Sequence, residues 1–338
     1  MQLIDLSKKI STQEIRNFLD IPNSVIMQLP PKNREEYYEA LRTLASNNKV
    51  KSGMTFTQKA FGFLGPVLRN FGYEVSGVEN IPEDGALFAF NHSNTHDAIT
   101  LLQVLKDCGM PVSVMVTKEG VSPAIESLYK AANFTVIDRT DKDSCLDGMF
   151  ELSSKMLQDK LSYGAIAPES TWNMDPVKPM RNWKYGVSKI AAITEKPIVP
   201  VIMEYVEVPE ICSKESQLYS KCVVRFGHPF YIHPTNDLIK RTDNIQEVAS
   251  AMRQEIWAEN DIKRDTLRDV DPVLYCNHAG LKVGFGSKGP ATFDYEREKN
   301  SLLILPGENK EWMYTIDENG EFVPGELTKE VFTRTLKK

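Results

Sequence analysis

Cysteine is scarce in this chain, and its few cysteines form no pattern. They number five among 338 residues, with no C-x-x-C pair, and are Cys108, Cys145, Cys212, Cys222 and Cys276. An odd and scattered set excludes a disulfide framework and a zinc knuckle, and it is typical of a reducing compartment. We therefore expect a cytoplasmic protein that is stabilised by an ordinary hydrophobic core.

Long apolar runs and an excess of basic charge are also missing. No run approaches the roughly 20 apolar residues that span a membrane, and the stretch from Met1 to Asp5 lacks the apolar core of a signal peptide. The 40 Lys and Arg residues are outnumbered by 46 Asp and Glu residues, which gives a formal charge of -6. This balance argues against nucleic acid as a partner. We expect a protein that is soluble or peripheral on a membrane face.

The middle of the chain alternates between short apolar strands and amphipathic helices. Such alternation predicts an α/β sheet covered by helices, within a domain that we place at 54–262. The predicted strands are 86–90, 112–116, 135–137, 165–167, 198–206 and 222–226. The predicted helices are 98–105, 123–132, 144–157, 183–194 and about 244–257.

The two ends of the chain have different patterns. Residues 1–53 read as a helical segment, with Ser11 and Glu14 spaced as a capping box and a second helix from about Asn33. Residues 263–338 are expected to form a small β-rich appendage, in which 301–305 and 312–316 form a hairpin across Pro306-Gly307.

A phenylalanine-rich stretch at 54–71 joins the helical segment to the α/β pattern. It carries seven Phe, Leu and Val side chains together with Lys59 and Arg69. The stretch has two readings, and the sequence does not choose between them. Its aromatic residues either pack on the main domain or enter a lipid interface, which would make the protein a peripheral membrane protein.

A histidine and a carboxylate lie close together directly after the first of the predicted central strands. The segment reads Asn91-His92-Ser93-Asn94-Thr95-His96-Asp97. Histidine has the side-chain pKa nearest neutrality, and a carboxylate partner fixes its tautomer and stabilises the imidazolium. His92 and Asp97 are thus candidates for a general base that deprotonates an alcohol. Ligands tend to bind at the carboxyl ends of strands in open α/β sheets, where His92 is predicted.

Three other readings of these residues remain open. His92 and Asp97 could be ordinary loop and helix-cap residues. His92 and His96, four residues apart, could join Asp97 as metal ligands of a hydrolase, although no third histidine is near in sequence. Ser170 could be an esterase nucleophile with His92 and Asp97, but it lacks the flanking glycines of a nucleophile elbow.

Four short motifs, in order, resemble those of the glycerolipid acyltransferase family, which contains 1-acylglycerol-3-phosphate and glycerol-3-phosphate acyltransferases. The similarity covers about 75–235. Its motifs are Asn91-His92-x4-Asp97, Phe134-Thr135-Val136-Ile137-Asp138-Arg139, Ala167-Pro168-Glu169-Ser170-Thr171 and Lys196-Pro197-Ile198-Val199-Pro200-Val201. They resemble the family's NHx4D motif, its arginine-ended strand, its PEGT block and its PIVPV strand. The resemblance implies a mixed, largely parallel sheet.

The same resemblance implies the chemistry of the site. His92 would be the catalytic base and Asp97 the residue that orients it, while Arg139, Glu169, Ser170 and Thr171 would bind the acceptor. A fatty acyl group would move from acyl-CoA or acyl carrier protein to a hydroxyl of a lysophospholipid or a glycerol phosphate, with 1-acylglycerol-3-phosphate as the commonest acceptor in the family. Direct attack on a thioester needs neither a metal nor another cofactor.

The chain departs from the family at two positions of the third motif. Ser170 replaces the usual glycine, and Trp172 replaces a frequent arginine. Arginine binds phosphate through two parallel hydrogen bonds, which tryptophan cannot provide. Lys178, Arg181 and Lys184 are candidate substitutes for the missing phosphate contact. The departures leave open an acceptor without a phosphate, or a noncatalytic lipid-binding protein on the same fold.

Overall fold

The structure is a computed structural model of the 338-residue chain. The described residues are 6, 8–50, 72–92, 97–118, 123–158, 163–170, 179–206, 221–262, 305–307, 310–316 and 322–325. The phenylalanine-rich stretch 54–71 lies outside them. So do His96, Thr171, Trp172 and Lys178.

Three helices form the described part of the amino-terminal segment. They are α1 (Thr12–Leu19), α2 (Asn23–Met27) and α3 (Pro31–Asn47). The predicted capping box is confirmed, because the Ser11 hydroxyl accepts the Glu14 N–H and the Glu14 carboxylate accepts the Ser11 N–H at 2.7 Å. Pro31 begins α3, where its missing N–H costs no helical hydrogen bond. The five-residue helix α2 was not predicted.

A seven-stranded sheet forms the centre of the protein, and it confirms the predicted mixed, largely parallel α/β fold. In spatial order its strands are β1 (Gly72–Ser76), β7 (Lys221–Phe226), β6 (Ile198–Val206), β2 (Leu87–Phe90), β5 (Tyr163–Ile166), β3 (Val112–Thr117) and β4 (Thr135–Ile137). Every neighbouring pair is parallel except β6 with β7. The edge strand β1 was not predicted.

Within the part of the chain that the structure describes, five α-helices connect and cover these strands. They are α4 (Asp97–Asp107), α5 (Pro123–Ala131), α6 (Lys142–Met156), α7 (Gly186–Thr194) and α8 (Leu238–Glu259). All five were predicted, although α8 begins earlier than 244 and α7 later than 183. Successive side chains of a strand point to opposite faces of the sheet. The core therefore consists of two layers, one on each face.

Strand β2 illustrates the two layers. Its odd-numbered residues, Leu87 and Ala89, pack in one layer with α3, α6, α7 and α8.

 The intervening residues Phe88 and Phe90 face the opposite layer, which α4 and α5 cover. Both faces of β2 are therefore buried, as expected for a central strand of a parallel sheet.

The amino-terminal helices share a core with the sheet. Phe18, Tyr37 and Leu41 belong to the same buried cluster as Leu87. Polar contacts add to this packing, since the buried ammonium of Lys189 in α7 donates to the carbonyls of Leu19 and Ile21 at the end of α1. Such contacts satisfy carbonyl groups that a helix end leaves without partners.

The described strands near the carboxyl terminus form a small antiparallel sheet. These strands are β8 (Leu305–Gly307), β9 (Lys310–Ile316) and β10 (Phe322–Gly325). A β-rich region was predicted here, but the details of the hairpin were wrong. Pro306 and Gly307 lie within β8 and pair with β9, whereas the sequence placed them in the turn.

Candidate active site

The carboxyl end of β2 is bound to its neighbour β6 through a side chain. The Asn91 amide donates to the Met203 carbonyl at 2.9 Å and accepts the Met203 N–H at 2.7 Å. This amide is fully buried and continues the strand pairing one residue beyond β2. Because Asn91 immediately precedes His92, these two bonds fix where the histidine leaves the sheet.

His92 and Asp97 meet as the sequence predicted. The His92 Nδ1 atom lies 3.1 Å from Asp97 Oδ2. The Asp97 side chain is 0% exposed at the start of α4, whereas the His92 side chain is 27% exposed. A buried carboxylate thus holds one side of an imidazole that solvent and small molecules can reach. This is the arrangement that an oriented general base requires.

Glu169 joins His92 to a second segment of the site. Its Oε1 atom accepts the His92 N–H at 3.0 Å, and its Oε2 atom accepts the Arg181 N–H at 2.7 Å. Glu169 is 2% exposed. Burial raises the pKa of this carboxyl, and the two N–H groups and the charge of Arg253 oppose that rise. These bonds make Glu169 a link between the turn after β2 and residues 179–184, and its predicted contact with the acceptor stays a prediction.

Ser170 follows Glu169 in a backbone conformation that favours glycine. Its φ angle is 64°, in the left-handed region, and its N–H donates to the Ala167 carbonyl at 3.0 Å. The guanidinium of Arg139, just after β4, donates to the Ser170 carbonyl. Arg139 therefore lies against the Glu169–Ser170 turn, and its role in binding the acceptor stays a prediction. The left-handed φ also gives a physical reason why glycine is usual at this position.

The candidate phosphate contacts differ in how the structure places them. Arg181 reaches the site through its backbone N–H on Glu169, and it is partly buried. Lys184 is exposed, and its N–H donates to the Pro168 carbonyl at 2.9 Å. Both residues thus lie beside the turn that carries Glu169, whereas Thr171 and Lys178 fall outside the described residues.

Two charged residues beneath the site were missed by the sequence reading. Glu204 near the end of β6 and Arg253 in α8 form an ion pair at 2.6 Å, with both side chains almost fully buried. Glu204 had a signal that could have been used, because it is a charged residue in an otherwise apolar strand and shares the strand face of Ile202, which α8 covers. No sequence pattern identified Arg253 as its partner.

Within the described ranges, no three His, Cys, Asp or Glu side chains are grouped so that they could hold a metal ion. The described part of the chain likewise contains no helix that is long and apolar enough to cross a membrane.

Residues 72–204 match the family model described as Acyltransferase. No curated protein matches the chain in sequence. A solved structure of the 1-acyl-sn-glycerophosphate acyltransferase PlsC from Thermotoga maritima is 16% identical, with a TM-score of 0.41 over 73% of this chain and 96% of that chain. The family match spans all four sequence motifs, and residues 72–204 of this chain are therefore similar to the acyltransferase family.

Proposed function

We propose that this protein is an O-acyltransferase that moves a fatty acyl group from acyl-CoA or acyl carrier protein to a hydroxyl of a lysophospholipid or glycerol phosphate. 1-Acylglycerol-3-phosphate is the acceptor that we propose to be preferred. The observation that carries the proposal is the 3.1 Å contact between His92 and the buried carboxylate of Asp97. The family match over 72–204 supports acyl transfer as the reaction class.

In the proposed reaction, His92 is the general base. With Nδ1–H donating to Asp97, Nε2 is the basic nitrogen and takes the proton of the acceptor hydroxyl. The acceptor oxygen then bonds to the thioester carbonyl carbon, and the tetrahedral intermediate expels the thiolate. His92 returns its proton to the thiolate sulfur, so that the products are an ester and a free thiol. Neither an enzyme-bound acyl group nor a metal is required in this scheme.

The acceptor side of the proposal rests on the surroundings of Ser170. Arg139 lies at the Ser170 carbonyl, and Arg181 and Lys184 lie beside the same turn. Three cationic residues near one turn favour an acceptor with an anionic group. Glu169 would then act on the acceptor by fixing this turn relative to His92, in addition to any contact with the acceptor hydroxyls.

We further propose that the protein acts at a cytoplasmic membrane face, where lysophospholipids are found. The stretch 54–71 is the proposed contact with lipid, on the basis of its phenylalanine content and its two basic residues.

A thiol-release assay tests the function. Purified wild type and His92→Ala are given long-chain acyl-CoA or acyl carrier protein with a chelator present. Each is tested with lysophosphatidic acid, glycerol-3-phosphate, monoacylglycerol (which lacks a phosphate) or no acceptor. We expect release that depends on a phosphate-bearing acceptor and disappears in His92→Ala. The matched control is His228→Ala, which removes an exposed histidine after β7.

Other outcomes of this assay would indicate different functions. Release that needs no acceptor would identify a thioesterase. Release only with an acceptor that lacks a phosphate would retain the acyltransferase and change its acceptor class. A wild type that binds lipid but releases no thiol would favour the noncatalytic lipid-binding protein.

A further inference from the structure

Arg253 is a buried cation that lies outside the residues matched by the family model. It belongs to α8, whereas the match ends at residue 204. The residue is 4% exposed, and its guanidinium lies 5.2 Å from the centre of the Trp257 ring. A buried charge is costly unless its hydrogen-bonding groups are satisfied, so the partners of Arg253 indicate what it does.

The Arg253 guanidinium holds two separate segments. Its Nε atom donates to Glu204 at 2.6 Å, and its NH1 atom donates to the Pro179 carbonyl at 2.7 Å. Glu204 is on β6, and Pro179 begins the segment 179–185 that leads into α7. A planar guanidinium can serve both partners at once because its donors point in fixed and different directions.

Each of these segments leads directly to His92. Met203, adjacent to Glu204, makes both hydrogen bonds to the Asn91 amide. Arg181, two residues after Pro179, donates its N–H to Glu169, which in turn accepts the His92 N–H. Arg253 is therefore connected to both sides of the turn that carries His92.

We propose that Arg253 is a positioning residue of the acyltransferase site, which rests on the function proposed above. By holding the end of β6 and the start of the 179–185 segment, it fixes Asn91 and Glu169, and these fix His92. The closing helix α8 is accordingly part of the active-site framework, although it contacts no reacting atom.

Charge supports the same role. Burial lowers the pKa of Arg253, but Glu204, Glu169 and Asp97 outweigh that effect and raise it overall. Arg253 thus stays charged and offsets buried carboxylates around His92. The charged groups of the described site include Asp97 on α4, Glu169 after β5, Glu204 on β6 and Arg253 on α8. Arg139, Arg181 and Lys184 lie on neighbouring segments.

The competing explanation is an ion pair that only fastens α8 to the sheet. A second arginine on the same helix interface provides the control. Arg225 of β7 pairs with Glu255 and Glu259 of α8, and both of these carboxylates are exposed. Arg225→Met therefore removes a strand-to-α8 ion pair without touching the connections to His92.

Steady-state kinetics give the first test. We expect Arg253→Met to lower kcat about 30- to 100-fold, as for a small displacement of a catalytic group, with KM changed by less than about threefold because Arg253 contacts no substrate. Arg225→Met should keep kcat within about twofold of wild type. Equal losses in the two variants, or a normal kcat in Arg253→Met, would overturn the proposal.

The imidazole NMR signals of His92, followed in the full-length protein and assigned with His92→Ala, give a test that needs no turnover. Loss of the two hydrogen bonds of Arg253 should shift these signals, since the contact of His92 with Asp97 then changes. Arg253→Lys keeps the charge but cannot reach both partners, so kcat should fall and the His92 signals should shift as they do in Arg253→Met. Arg225→Met should leave the signals at their wild-type positions.

A double variant addresses the loss of folding that would follow from breaking the buried ion pair of Glu204. Arg253→Met with Glu204→Met replaces the whole ion pair by apolar side chains, which is often neutral for stability. Thermal unfolding should remain cooperative, and kcat should stay low because the Pro179 carbonyl has lost its donor. Unchanged His92 signals in Arg253→Met would refute the positioning role. Absence of transfer by the wild type would instead refute the proposed function, and the His92 signals would still decide the role of Arg253.

Discussion

Replacement of Asp97 by asparagine isolates the orienting role of this carboxylate. Asn has nearly the same shape, so α4 and the packing around it should persist. Its amide, however, can donate a hydrogen bond to His92 Nδ1, across the distance that is 3.1 Å in the wild type. That bond favours the tautomer with the proton on Nε2, and an Nε2–H group cannot accept the proton of the acceptor.

The size of the effect follows from burial. Asp97 is 0% exposed, so water does not screen or replace its contact with the imidazole. An amide at the equivalent place of a catalytic triad costs about 10⁴-fold in kcat. His92 is 27% exposed, which allows water to stabilise the productive tautomer in part. We therefore expect a loss of about 10²- to 10⁴-fold, which corresponds to about 3 to 5 kcal/mol in the activation free energy.

The assay is kcat for acyl transfer with saturating acyl-CoA and the acceptor that the wild type uses. Asp107→Asn is the matched control, because it makes the same change at the exposed end of the same helix. Activity of Asp97→Asn within about threefold of the control, with both proteins folded, would refute the orienting role. A loss that is accompanied by a broad, lowered thermal transition would show that Asp97 acts mainly in folding.

Three further predictions concern stability. Ser170→Gly should stabilise the protein by about 0.5 to 1 kcal/mol. The backbone strain that serine has at a φ of 64° costs more free energy than the greater conformational entropy of glycine in the unfolded chain. An unchanged or lower melting temperature would contradict this. Burial lowers the pKa of Lys189 from 10.5 to about 8. Between pH 8 and 10.5 the unfolded chain therefore binds a proton that the folded chain lacks, so the free energy of unfolding should rise by about 3 kcal/mol over this range. Lys189→Met should lack this increase when denaturant unfolding is measured at the two pH values. Gly148→Ala would place a methyl group 2.2 Å from Ile137 Cγ2 and should cost about 1 to 3 kcal/mol; Gly148→Ala with Ile137→Ala should recover part of that loss, and equal melting temperatures of the single variant and wild type would contradict the clash.

Local sequence signals predicted much of the fold. The strands Thr135–Ile137 and Ile198–Val206 were predicted with the bounds that the structure has, because apolar β-branched residues end there at polar or turn-forming ones. The capping box at Ser11 was predicted because its contacts lie within one helical turn. Strand β1 was missed since its side chains are partly exposed at the sheet edge, which leaves no strong apolar pattern.

The start of α8 shows a signal that was present and overlooked. Asp237 caps this helix by accepting the N–H groups of Ile239 and Lys240, six residues or more before the predicted start near 244. The helix α7, by contrast, begins at Gly186 and not at Trp183, whose N–H is bound to Gln246 of α8. That contact comes from another part of the chain, so periodicity within 183–194 could not indicate it.

The candidate site likewise has one part that the sequence could predict and another that it could not. His92 and Asp97 could be identified because their motif carries both residues in one short segment. The link from Glu169 to His92 spans 77 positions, and the pair of Glu204 with Arg253 spans 49. Contacts of this kind depend on the order of the strands in the sheet and on where α8 crosses it. Only the folded structure reveals them.

The central claim is that His92 is the base for acyl transfer, and single-turnover transfer by His92→Ala tests it most directly. Enzyme in excess of radiolabelled acyl-CoA, with saturating acceptor, reports the chemical step without product release. We expect the rate of ester formation in His92→Ala to fall by at least about 10³-fold, while His228→Ala and wild type remain alike. Ester formation by folded His92→Ala at a rate within tenfold of wild type would contradict the account.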